Sequence, residues 1–171
     1  MINLIIPTQE YKNQLELFKR NMLDGSPIHG TGGLEKGCIN EWIVNCENYR
    51  QGKNLPDGYL PATQFIAVRE SDNKIVGLIN VRHALNDKLL LHGGHIGYMT
   101  AAPERRKGYC KEMLRLCLPY CKKLGIDKVL ITCKKWNIGS AKTIIANGGI
   151  LENEIEVDGD IFQRYWIYTR G

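Results

Sequence analysis

Between His95 and Thr132 the chain sets an apolar strand, a basic turn holding one glycine, an amphipathic helix and a second β-branched run in direct succession. That order leaves few folds open. A strand returned to its sheet through a helix makes a crossover, which must bury one helical face on the sheet and is almost always right-handed. The apolar spacing predicts a strand over 95–100, a helix over 108–124 and a strand over 129–132, with Pro103 ending the first.

The flanking sequence supplies the rest of a sheet. Residues 2–6 read as a short strand stopped by Pro7, and Tyr11, Leu15, Phe18 and Met22 then recur at helical spacing after Thr8 and Glu10. Asp24 to Gly33 is a glycine-rich loop broken by Pro27, after which Ile39, Trp42, Ile43 and Cys46 mark one face of a second helix. A loop over 52–61 leads into strands over 65–68 and 75–81, joined through Ser71 to Lys74, and a polar loop follows at 86–88. A helix over 138–147 precedes two β-rich runs, 150–157 and 161–168, and Asp158 with Gly159 between them is a strong hairpin signal. The expected architecture is a mixed, mostly antiparallel twisted α/β sheet with a βαβ crossover and helices on both faces, formed by a single domain over 1–171.

Composition narrows the function. A net charge of +5 with 24% charged residues hints at an anionic ligand but lacks the dense basic stripe of a nucleic-acid binder, so no nucleic-acid partner is expected. No apolar run is long enough to span a membrane, and the amino terminus lacks the pattern of a signal peptide, so the expected compartment is the cytoplasm, with no membrane partner. Six scattered cysteines contain no CxxC pair; Cys117 and Cys121 read as small core residues, and no metal site is expected.

The chemistry concentrates in the run HIGYMTAAPERRKGYCKEML that begins at His95. Main-chain amides at a helix start lack internal partners and lie at the positive end of the helix dipole, so the groups around Arg106 to Cys110 suit a diphosphate. Gly108 lets the backbone approach closely, and Arg105, Arg106, Lys107 and Lys111 add charge; a solvated basic helix start is the competing reading.

This segment resembles motif A of the GNAT superfamily of acetyltransferases, whose signature is Gln or Arg, any two residues, Gly, any one, then Gly or Ala. Arg105, Gly108 and Cys110 occupy those places, and Cys110 is a departure that either crowds the phosphates or tucks into the core. A second run, with Asn137, Ser140 and Ala141 ending at Asn147, Gly148 and Gly149, is similar to the family's motif B. The resemblance implies the GNAT fold, acetyl-CoA as cosubstrate, and transfer of its acetyl group to a primary amine of a small molecule or peptide by direct attack in a ternary complex. It implies cofactor contacts from Arg105, Arg106, Lys107, Gly108, Tyr109 and Cys110 at the diphosphate, and from Asn137 and Ser140 along the pantetheine arm, although Asn137 also reads as a helix N-cap. It further implies two splayed parallel strands, with Tyr98, Met99 and Thr100 offering free main-chain groups to the pantetheine and the acetyl carbonyl.

His95 is the candidate catalytic base, its ordinary pKa suiting neutral pH, with a core or hydrogen-bonding histidine as the competing reading. His92 and His95 are not expected to form a metal site, Glu104 reads as a solvated member of the turn, and His29 and His83 have no motif context. Where the family commonly carries a tyrosine to protonate the leaving thiolate this chain has Ile144, which leaves Tyr98, Tyr109 or a water for that step. Trp136 either flanks the cofactor or packs on the surface, and the resemblance implies an acceptor pocket built from the first two helices and their loop, Asp24 to Gly37, with help from the last hairpin. A non-catalytic acyl-CoA-binding module is the alternative function, and a homodimer the default assembly.

Overall fold

The computed structural model describes residues 1–169, so the expected domain span of 1–171 ends on two residues outside the described part. The chain runs β1 (Ile2–Ile5), α1 (Lys12–Met22), α2 (Ile39–Gln51), β2 (Ala62–Arg69), β3 (Lys74–Arg82), β4 (Ile96–Thr100), α3 (Tyr109–Lys123), β5 (Lys128–Lys134), α4 (Ile138–Ala146), β6 (Ile150–Val157) and β7 (Asp160–Tyr168). Strands β1 to β4 pair antiparallel in sequence order, whereas β7 inserts between β5 and β6.

Alternation along the strands gives each face its own helices. Phe65 and Ala67 of β2 join Val76, Ile79 and Val81 of β3 in a core closed by Met113, Leu114 and Cys117 of α3 and Ile144 of α4. Ile66, Val68 and Leu78 point to the other face, where Leu15 and Phe18 of α1 and Ile39 and Trp42 of α2 cover them. Helices therefore lie on both faces, as expected. Cys117 and Cys121 are buried core residues. No helix among the described residues is long and apolar enough to cross a membrane.

The crossover strands depart from a simple βαβ sheet. The α3 connection sets β5 beside β4, yet no ladder joins them, and the strands belong to separate hydrogen-bonded sheets. They touch at one point. The His95 amide donates to the Leu130 carbonyl at 2.7 Å, and His95 Nδ1 accepts from the Leu130 amide at 2.9 Å. Just upstream, a short π-helical turn, Leu89–Gly93, brings the chain against β5, where Gly94 has φ +67° and a Cβ would lie 2.7 Å from the Leu130 carbonyl. No periodicity announced that turn, because Leu89, Leu90 and Leu91 form one short run and two of them remain exposed.

The loop between α1 and α2 is held tightly over β4. Gly30, at φ +66°, lies so close to Gly97 that an added Cβ would sit 2.2 Å from its carbonyl oxygen. Gln64 Nε2 donates to the Gly30 carbonyl at 2.9 Å, and Trp42 Nε1 donates to that of Thr31, also at 2.9 Å. Gly30→Ala combines a left-handed backbone with a direct clash, so a loss of about 2–5 kcal/mol in urea-unfolding stability is expected. An unchanged midpoint would show that the loop is free to lift.

Candidate functional site

One cavity of about 1600 Å³ runs along the separation of β4 and β5. Its walls include Arg105, Arg106 and Gly108 at the start of α3, residues of β4 and β5 from 96–100 and 131–134, and the loop residues 26–33. It is large enough for a long cosubstrate and a second ligand together.

At the α3 end, Gly108 is the N-cap with φ +84°, and Arg106 is also left-handed at φ +63°. A Cβ on Gly108 would meet nothing within 4 Å, so backbone conformation, and not crowding within the protein, is what calls for glycine there. The amides that open α3 face this end of the cavity with no side-chain cap. Charge is distributed unevenly. Arg105 pairs with Asp24 at 3.3 Å and Lys107 with Glu104 at 2.9 Å, while Arg106 and Lys111 make no ion pair among the described residues.

Glu104 corrects its sequence reading. It is only 3% exposed and accepts from Arg69 at 2.9 Å, Lys74 at 3.0 Å and Lys107 at 2.9 Å. Hydrogen bonds from Lys107 and Lys74, with the Arg69 guanidinium beyond them, hold its pKa down at about 2. Tyr109 joins the same cluster, its hydroxyl 3.1 Å from Arg69 Nη1.

Along the strands, the Arg82 amide bonds the His95 carbonyl and the Ala101 amide bonds Val76, so odd positions of β4 turn toward β3. By alternation the main-chain groups of Tyr98 and Thr100 face the separation, where no ladder takes them up. Met99 instead turns its main chain to β3 and buries its side chain with Leu78 and Ile66. Across the gap the Tyr98 hydroxyl lies 2.8 Å from Ser140 Oγ, and burial raises the phenol's pKa so that it stays protonated. Asn137 caps α4, its Oδ1 accepting from the Ser140 amide at 3.2 Å, which leaves its Nδ2 without a protein partner among the described residues. Cys110 tucks against Thr100, Sγ 2.8 Å from the hydroxyl. Trp136 lines the cavity and is largely exposed, and Ile144 is wholly buried away from it.

The structure does not bring His95 to the cavity wall. Its ring is buried, its Nδ1 lone pair is taken by Leu130, and burial, with the Arg82 charge adding, pushes its pKa down to about 4. The neutral ring then carries its proton on Nε2, so neither nitrogen offers a lone pair to an ammonium. Of the sequence's two readings for His95, the geometry favours the hydrogen-bonding one. His29, passed over for want of a motif, does line the cavity, with a pKa lowered by burial and then by Lys134 and Arg82. Arg82 and Asn80 line it too, and both were missed because they sit in or beside a run read as apolar strand.

A histidine whose folded pKa is depressed stabilises the fold fully above its unfolded value, and that contribution fades as pH falls toward the folded value. For His95 the window runs from about 6.5 down to about 4. His95→Gln, which keeps an acceptor without a titrating ring, is expected to lose less stability than the wild type between pH 7 and pH 4. Parallel urea-midpoint profiles for the two proteins would refute this.

A strand, a left-handed turn and a helix start beside a strand separation, set in a mixed α/β sheet, define the class of fold, and sequence and structure comparisons give its family. The family model described as an acetyltransferase (GNAT) domain matches residues 35–149, more than half of the chain, and the chain belongs to that family. No curated protein matches it in sequence. Among solved structures, the ribosomal α-N-protein acetyltransferase RimL in complex with coenzyme A is similar, with a TM-score of 0.68, 16% identity, and coverage of 98% of this chain and 93% of that one. The microcin self-immunity acetyltransferase MccE, in complex with acetyl-CoA and AMP, gives 0.66 at 19% identity, covering 98% and 92%. Mutant forms of the spermidine/spermine N-acetyltransferase SpeG from Vibrio cholerae give 0.64 at 14%, covering 99% and 95%.

Proposed function

We propose that this protein transfers the acetyl group of acetyl-CoA to a primary amine by direct attack within a ternary complex. The observation that carries the reading is the continuity of one cavity from the amides of α3, through the gap between β4 and β5, to the loop over Gly30. The residues present fit the cosubstrate. Arg106 and Lys111 are cations without an ion pair among the described residues, and open space over Gly108 leaves room for a diphosphate on the helix start, flanked by Arg105, Lys107, Tyr109 and Cys110. Tyr98 and Thr100 would hold the pantetheine arm and the acetyl oxygen through main-chain groups, Met99 would line the wall, and Asn137 and Ser140 would face the arm from α4.

Attack by a neutral amine on a thioester carbonyl forms the C–N bond and breaks the C–S bond, the nitrogen giving up one proton as the departing thiolate takes one up. Ile144 offers none. Tyr109 accepts from Arg69 at the turn before α3, whereas the hydroxyl pair of Tyr98 and Ser140 lies in the gap itself and is the donor in this reading, with a water as the alternative. His95 serves as a positioning residue that fixes where the strands part. Holding both reactants in one cleft supplies most of the rate.

The buried Ile144 and the locked His95 favour a second reading, a module that binds acyl-CoA without turnover. Thiol release from acetyl-CoA, followed with and without a panel of primary amines, separates the two. Amine-dependent release is expected; tight binding with no release to any amine would establish the binding module. In the active protein, Tyr98→Phe should lower kcat about 100-fold while acetyl-CoA affinity stays within twofold. A kcat close to that of the wild type would remove Tyr98 from the proton step.

A further inference from the structure

The acceptor half of the cavity holds a cation that the protein does not itself neutralise. Arg82 ends β3 on the face that also carries Asn80, and its side chain passes over Gly97, where a Cβ would lie 3.8 Å from Nη1. Nη1 donates to the carbonyls of Gly93 at 3.2 Å and Gly94 at 3.3 Å. Nε and Nη2 have no partner among the described residues. No fully enclosed side-chain nitrogen or oxygen lacks a partner among the described residues, so these two donors reach solvent, and the residue that carries them lines the cavity.

No carboxylate pairs with Arg82 among the described residues. Of the acids along the cavity, Glu104 is held by three cations, and Glu35 accepts from the Thr31 hydroxyl at 2.6 Å within its own loop. The remaining one, Glu41, belongs to α2 and makes no ion pair among the described residues. Of the two cations that act on His29 from this region, Lys134 is paired with Asp160 at 2.8 Å, which leaves Arg82 as the one without a carboxylate among the described residues, and Lys88 lines the same wall. A guanidinium mostly removed from water and left without a counter-charge is unfavourable, and the mismatch is relieved when an anion arrives. Burial drawing the Arg82 pKa down is the same fact seen from the proton's side.

Asn80 adds a second feature. Its Nδ2 donates to Gln64 Oε1 at 2.9 Å, while its own Oδ1 has no partner among the described residues and so opens to the cavity. Asn80 and Arg82 are two residues apart on one strand, roughly 6.5 Å between their Cα atoms. One presents an acceptor suited to an amine, the other a fork suited to an oxyanion.

We infer that the acceptor is an amine that also carries an anionic group, a carboxylate or a phosphate, with Arg82 binding the anion and Asn80 the amine end. The inference rests on the acetyltransferase reading and narrows it. A polyamine would bring more positive charge to an already positive wall, and a neutral amide would satisfy donors without balancing charge.

Matched acceptor pairs that differ only in the anion test it: the standard amino acids against their carboxamides, and phosphoethanolamine against ethanolamine, with spermidine and an amino-terminal peptide as further acceptors. Acetyl-CoA-dependent thiol release would be read for each. The wild type is expected to prefer the anionic member by about 100-fold in kcat/KM, the responsive pair telling carboxylate from phosphate. Arg82→Gln should abolish that preference with an unchanged KM for acetyl-CoA, and Arg82→Lys should restore part of it. Equal or better turnover of the neutral or cationic members by the wild type overturns the inference without touching the acetyltransferase reading, and requires no folded variant. A preference that survives in Arg82→Gln also overturns it. No turnover with any acceptor overturns both.

Discussion

The two hydrogen bonds between His95 and Leu130 decide the shape of everything around them. One joins the two backbones as a ladder rung would, and the other gives the Leu130 amide to a ring nitrogen where a continuous ladder would supply a carbonyl. With no other hydrogen bond joining the two strands among the described residues, the amides of Tyr98 and Thr100 face the gap in place of a ladder with β5. The gap stays open because both of its walls are held from behind. Strand β4 is laddered to β3 from Ile96 to Thr100, and β5 to β7 over its full length, Lys128 to Lys134. A buried neutral imidazole suits this post, since an ionised ring could not accept from Leu130 and would carry charge into the core.

A second centre orders the turn before α3. Glu104 gathers Arg69 from β2, Lys74 from β3 and Lys107 from the turn, so two strands and the loop are fastened to one carboxylate. The cluster neutralises part of the basic run and leaves Arg106 and Lys111 as its unpaired members. Local charge density in the sequence therefore overstates how much positive charge is free for a ligand. It also explains how a non-glycine residue at φ +63° is tolerated at Arg106, because its neighbours are held on both sides.

Most of the element order was legible because strong local signals were repeated. The Asp158-Gly159 hairpin, the helical spacing of Leu15, Phe18 and Met22, and the β-branched run at 129–132 all appear where periodicity put them. The parting of β4 and β5 was expected from family resemblance only, since no residue pattern marks a ladder that fails after one contact. The roles of His95, Glu104 and Arg82 were beyond local reading for a common reason. Whether a buried polar group is satisfied depends on partners far along the chain: Leu130 lies 35 residues from His95, and Arg69 lies 35 from Glu104. Arg82 is the mirror case, where the decisive fact is a partner that the fold does not supply.

These arrangements also bear on how an ammonium acceptor could lose its proton without a dedicated base. The positive groups that depress His29, Lys134 and Arg82, act on any cation placed among them and favour its neutral form. An anion bound at Arg82 would weaken that effect locally while fixing the amine's position, so substrate binding and amine deprotonation draw on the same charge in opposite directions. In the proposed reaction an acceptor held at Arg82 and Asn80 shares its cavity with His29, whose neutral ring makes no hydrogen bond among the described residues and retains a lone pair for a proton. In that proposed reaction Arg82, a neutral imidazole on the same cavity and a phenol kept protonated by burial would divide the proton chemistry that no single conspicuous residue announces.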